Sequence, residues 1–269
     1  SPAPGGNISL RVYWTPLQAL EADYSSFVQL LGPAGVVGQE DITQPTRTYL
    51  PNEVRMDAYS FPLLLQTVPG TYRLITGFYT VQGGQWSRLP TAEGDFVTLQ
   101  EVTVRASSGP PPSLHPQSRA WANGLRLVGV DADRSIAGQV RLYLHWQCRS
   151  VLSRASQTCT GASVRAAQGE MVLAQSTIPT LDRGQAATTP LDLPEGTAKV
   201  ALSLLEANSQ TVPALGLWGR PGRSLPLRVP REARYLPLGG QMALTGVTEH
   251  THREAVHITL RFLALRPLT

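Results

Sequence analysis

The densest group of side chains able to hold a metal is Glu249-His250-Thr251-His252, with Glu254 and His257 close behind. In an extended strand, His250 and His252 share a face, as two imidazole ligands of a divalent ion require. The segment lies between Val247 and Val256, however, where the chain's internal repeat predicts a hairpin loop, and a polar turn is the simpler account. His250 and His252 are therefore the candidate ligands, but no metal and no cofactor is expected.

Asp23, Glu40, Asp41, Glu53 and Asp57 supply carboxylates early in the chain. A glycoside hydrolase needs two carboxylates roughly 5–10 Å apart across a cleft, and loop carboxylates of a β-sandwich can also bind calcium. Five acidic residues in loops are ordinary, and no catalytic residue is assigned. The chain has no G-x-S-x-G nucleophile elbow and no phosphate-binding P-loop. Trp86, after the Gly83-Gly84 hairpin, and Tyr59 are the aromatic side chains proposed to stack on a sugar ring. Trp14 and Trp146 fall on inward faces by alternation and are assigned to cores. Cys148 and Cys159 are the only cysteines. They are expected to close a disulfide, which fits an oxidising, extracytoplasmic setting.

The elements that must position these residues repeat along the chain. Ile8–Trp14 reads I-S-L-R-V-Y-W, Val140–Trp146 reads V-R-L-Y-L-H-W, and Val256–Phe262 reads V-H-I-T-L-R-F. Each alternates apolar and polar residues and ends on a large aromatic, as a half-buried strand does. Gly169 to Gln175 echoes Gly35 to Gln39, and Pro194-Glu195-Gly196-Thr197 echoes Pro69-Gly70-Thr71. Met242-Ala243-Leu244-Thr245-Gly246-Val247 mirrors Leu125-Arg126-Leu127-Val128-Gly129-Val130. Such recurrence marks tandem copies of one unit. Further strands are expected at Phe27–Leu31, Val36–Gln39, Phe61–Leu65, Thr71–Tyr79 and Phe96–Val104. Runs this short, separated by turns, predict an all-β protein: two tandem immunoglobulin-like or fibronectin-like β-sandwiches plus a two-stranded piece of a third repeat. The expected division is a sandwich over 6–106, a Pro/Ser-rich linker over 107–119, a sandwich over 120–232 and the third-repeat strands over 233–269. The first unit lacks an opening L-x-L-x-G-V strand, so strand exchange through residues 242–262 is a further expectation.

Composition agrees. Hydrophobic residues make up 42% of 269, enough for real cores, and the 24 glycines and 22 prolines suit many tight turns. The net charge is +4, yet Lys199 is the only lysine and the arginines are scattered singly. No nucleic-acid partner is expected from that distribution. No run approaches the ~18 apolar residues of a membrane span.

From Tyr13 to Leu89 the chain contains Y-W-T-P-L-Q-A-L-E-A-D-Y-S-S-F-V-Q-L-L-G-P-A-G-V-V-G-Q-E-D, Y-L-P-N-E-V-R-M-D-A-Y-S-F-P-L, V-P-G-T-Y-R-L-I-T-G-F-Y-T and R-L-P. This pattern resembles the soluble C-terminal modules of bacterial (Chloroflexi-like) membrane proteins of the protein-mannosyltransferase type. Leu238 to Thr269 resembles the opening of another such module, in which an Asp-Tyr pair like Asp23-Tyr24 follows. The second unit shares the outline but has its Cys148–Cys159 region where that pair would stand. The resemblance implies an extracytoplasmic, non-catalytic β-sandwich appendage of a membrane-bound glycosyltransferase-like protein. Its expected partner is a glycan or a cell-envelope protein.

Overall fold

The computed structural model describes all residues except 34, 83, 93, 135–136, 150–157, 216–220, 223, 231–235, 239–241, 253–254 and 265–269; beyond residue 235 it describes backbone alone. The chain divides into two units, Ser1–Arg105 and Ala106–Thr269. Both are all-β and antiparallel, and the helical content among the described residues is one 3-10 turn at Thr46–Thr48.

The first unit contains β1 (Asn7–Trp14), β2 (Ser25–Gly32), β3 (Gly35–Thr43), β4 (Arg55–Pro62), β5 (Gly70–Gln82), β6 (Gln85–Arg88) and β7 (Val97–Val104). One sheet is β1-β4, and the other runs β3-β2-β5 with β6 and β7 both pairing β5. Alternation decides which face each strand buries. In β4, Asp57, Tyr59 and Phe61 are buried while Met56, Ala58 and Ser60 are exposed. Tyr59 and Phe61 meet Val28, Leu30 and Leu74 of the larger sheet, with Ile8, Leu10 and Val12 of β1 at the margin. The strand expected at Phe61–Leu65 thus lies earlier, because an inward Asp57 hides the period that Tyr59 and Phe61 complete.

The second unit contains β8 (Pro116–Trp121), β9 (Leu125–Asp133), β10 (Gln139–Cys148), β11 (Thr158–Cys159), β12 (Ala162–Gln168), β13 (Met171–Ile178), β14 (Leu181–Asp182), β15 (Ala186–Pro194), β16 (Lys199–Leu205), β17 (Thr211–Val212), β18 (Ala214–Leu215), β19 (Pro221–Gly222) and β20 (Leu225–Arg228). One sheet is ordered β15-β10-β9-β8-β18-β19, and the other is β13-β12-β16-β17 with β20 also on β16. Trp121 and Trp146 meet edge to face at 5.3 Å in the core between them.

Equivalent strands keep equivalent registers. Ile8 pairs Phe61 and Trp14 pairs Arg55, just as Val140 pairs Leu193 and Trp146 pairs Ala187. In the β2–β3 hairpin Leu30 faces Gly38, and the register then shifts so that Leu31 faces Val36. The β12–β13 hairpin repeats this step, with Ala166 facing Ala174 and Ala167 facing Val172. A bulge twists and bends its strand, so a shared bulge is a stronger likeness than shared alternation.

The tail forms a three-stranded sheet, β21 (Leu236–Leu238), β22 (Met242–His252) and β23 (Ala255–Ala264), in that order. The expected two strands therefore become three, because Leu236–Leu238 pairs Met242–Leu244. The strands again copy a register. Leu127 faces Trp146 and Gly129 faces His145, with a bulge between; Leu244 faces Phe262 and Gly246 faces Arg261, with the same bulge. Arg119 faces Leu127 as Leu236 faces Leu244.

Residues 107–119, expected as a spacer, are bonded to the second unit. Ser107 and Ala186 exchange backbone hydrogen bonds of 3.1 and 2.9 Å, and the Val130 N–H donates to the His115 carbonyl at 3.0 Å. The strap lies so close that a Cβ built on Gly129 would stand 2.5 Å from the Ser113 Cβ, which excludes any larger residue there. From Pro116 onward the segment is strand β8.

The sulfurs of Cys148 and Cys159 are bonded, tying the end of β10 to β11 across 11 residues. Closing a loop of this size restricts the unfolded chain by roughly 2–3 kcal/mol.

Candidate functional site

Asp57 is the most heavily contacted carboxylate of the first unit, and it is buried. Its Oδ2 accepts from Trp14 Nε1 at 2.9 Å and Ser26 Oγ at 2.8 Å, and its Oδ1 accepts from Gln44 Nε2 at 2.6 Å. Tyr59 donates to Ser26 at 2.7 Å. Three strands and a loop thus meet on one carboxylate, which satisfies donors that would each be costly to bury alone. Trp14, assigned to the core by alternation, is half-buried, with its ring against Phe78 and Tyr49.

The other carboxylates serve separate structural contacts. Asp23 accepts from Arg47 through the backbone N–H at 3.0 Å and the guanidinium at 3.1 and 3.2 Å. Those bonds hold the Asp23 carboxyl below its usual pKa, the backbone hydrogen bond contributing most. The Tyr24 N–H donates to Thr46 Oγ1 at 2.8 Å, so the Asp23-Tyr24 pair clamps its loop to the 3-10 turn. Glu40 accepts from the Ser60 N–H, Asp41 from the Tyr79 hydroxyl, and Glu53 pairs with Arg55. Among the described residues, no three His, Cys, Asp or Glu side chains group to hold a metal ion.

Tyr59 is not a sugar platform. It is 2% exposed because it shares the inward phase of β4 with Asp57 and Phe61. Trp86 is 68% exposed. Its ring lies 4.7 Å from that of Tyr79, which is buried beside Phe27 and Ile75 on the outer face of the larger sheet. Arg88 sits 4.6 Å over Phe27 and bonds Asp95 and Gln29. An exposed indole is thereby backed by a second ring.

The second unit holds a relay that single strands could not reveal. His145 Nε2 is 2.8 Å from Asp131 Oδ2, His145 Nδ1 is 2.9 Å from Thr188 Oγ1, and the Leu114 N–H donates to Asp131 Oδ1 at 2.8 Å. Hydroxyl, imidazole and carboxylate stand in the order of a hydrolase triad. None is more than 2% exposed, so no substrate meets the hydroxyl; the group pins the strap to its sheet. A cleft of about 870 Å³ opens elsewhere in this unit, lined by Arg134, Lys199, Arg228, His115 and Gln117 among others. Arginines spaced singly in sequence gave no sign of this gathering.

His250 and His252 lie within strand β22 rather than in a loop, because the ladder continues to the His252–Ala255 pair. Their side chains lie outside the described residues. No helix among the described residues is long and apolar enough to cross a membrane. No protein-family model matches the chain, and no curated protein does.

The Asp57 cluster makes a testable prediction. Burial pushes the Tyr59 hydroxyl up to about 12 from 10.0. A raised pKa contributes stability in full below the unfolded value and loses it as pH climbs through the folded one. Urea midpoints should therefore hold with respect to Tyr59 up to about pH 10 and decline toward pH 12. Tyr59→Phe should flatten part of that decline; an unchanged alkaline slope would show that Tyr59 ionises as freely folded as unfolded.

Proposed function

We propose that this chain is a non-catalytic, extracytoplasmic β-sandwich module, the accessory region of a membrane-bound glycosyltransferase-like protein, acting in assembly or partner contact. The recurrence of the same registers and bulges along the chain is the observation that carries this reading, because serial copies of one unit suit a spacer and contact surface. The Cys148–Cys159 bond supports the location, since such bonds persist in oxidising compartments. The resemblance of Tyr13 to Leu89 supplies the transferase association. In intact source cells, antibodies against the chain should detect it in the membrane fraction, and added protease should remove it. Protection from protease with both cysteines reduced would refute the location.

A second reading, carbohydrate binding, is favoured by the exposed Trp86 backed by Tyr79. Affinity electrophoresis in cell-envelope polysaccharide should retard the chain, and Trp86→Ala should relieve most of that retardation while leaving the unfolding free energy from urea titration within about 0.5 kcal/mol of wild type. Equal mobility of the two proteins in every polysaccharide would remove this reading.

A further inference from the structure

The cleft of about 870 Å³ in the second unit lies at one end of both its sheets. One sheet contributes Val130 of β9 and Arg134, the residue after β9 ends. The other contributes Lys199, the first residue of β16, and Arg228, the last of β20. Val130, Val229 and Pro230 are buried and supply apolar wall. The volume is that of a small-molecule pocket, larger than a single ion needs.

Three cations gather there. Lys199 and Arg228 are direct partners in the β16–β20 ladder, so their side chains leave the same face. The Val229 N–H donates to the Ala198 carbonyl at 3.0 Å, which carries the pairing past them and holds the two side by side. Arg134 arrives from the opposite sheet, and its guanidinium donates to the Pro230 carbonyl at 3.0 Å. Among the described residues, no Asp or Glu lines the cleft, and none of the three cations makes an ion pair. Asp133 and Glu195, next in sequence to lining residues, do not line it.

Elsewhere the same fold pairs opposite charges. Arg141 faces Asp192 across β10–β15 and bonds both its oxygens, at 2.6 and 3.0 Å. Across β16–β20 the chain instead sets its only lysine against an arginine. Like charges directly opposite destabilise a ladder. An arrangement that costs stability in the free chain becomes favourable once an anion bridges the two.

We propose that this cleft binds a small organic anion, whose phosphate or carboxylate group is held by Lys199, Arg228 and Arg134. Such a group accepts charge-assisted hydrogen bonds from ammonium and guanidinium alike. The apolar wall accommodates the body that carries it. This is a binding function beyond the contact role proposed above, and it stands or falls separately.

Titration calorimetry on the full chain tests it, with pyrophosphate and citrate as probes at about 0.15 M ionic strength, where diffuse surface attraction is screened. At least one probe should give a saturable, one-site isotherm. Tighter pyrophosphate assigns the site to phosphate, and tighter citrate to carboxylate. Lys199→Ala and Arg228→Ala should each weaken binding roughly tenfold or more. Arg183→Ala removes the same charge from an exposed turn beyond the far end of β15, and should bind as wild type does. Lys199→Glu should abolish binding yet raise the urea midpoint, because it sets a carboxylate opposite Arg228. Unsaturable heats from wild type with both probes would overturn the proposal. So would equal weakening by Arg183→Ala and Lys199→Ala, or wild-type affinity in Lys199→Glu.

Discussion

Strand register is the constraint on which this molecule depends. Side chains alternate between faces with a period of two, so a one-residue slip would carry a whole apolar set from core to solvent. Two devices hold register here. One is the bulge that recurs at Leu30/Leu31 and Ala166/Ala167, and again where Gly129 and Gly246 cross their partners. The other is the inward polar residue that bonds across strands, Asp57 in the first unit. A misplaced apolar side chain can slide at small cost, but a misplaced buried carboxylate loses all its donors together. Asp57 therefore specifies the first sandwich more sharply than Phe61 does, though Phe61 buries more apolar surface.

The second unit meets the same demand differently. Its larger sheet is covered on the outside by the strap of residues 107–115, and Asp131 and His145, which in an uncovered sheet would face water, bond to each other beneath it. The first unit shows the contrast at the position equivalent to His145, where Tyr13 is exposed. A shared backbone ladder thus carries two surfaces, one closed by its own strap and one exposed.

Much of this was legible in the residues alone. The three seven-residue strands, the Gly-rich turns and the all-β class follow from strict alternation, which Ile8, Leu10, Val12 and Trp14 display without interruption. Where polar residues point inward the period is masked: Asp57 displaced the expected β4 and left Tyr59 facing the wrong way. The strap was unreadable because Pro110-Pro111-Pro112 has the same composition whether free or bonded to a sheet. The His145 relay draws Asp131, His145 and Thr188 from three strands, and the cleft gathers Arg134, Lys199 and Arg228 from three places. Contacts that long in sequence leave no local trace.

The account stands on the claim that β1 and β10 are the same strand in the same ladder, β1 being paired on one edge alone among the described residues. Amide hydrogen exchange, read residue by residue on the dilute chain, tests it directly. In β10 every amide between Val140 and Trp146 should be protected, since both edges are paired. In β1 protection should alternate, with amides directed at β4 slow and the intervening ones fast. Uniform protection along Ile8–Trp14 would contradict the single-edge pairing of β1, and with it the register account.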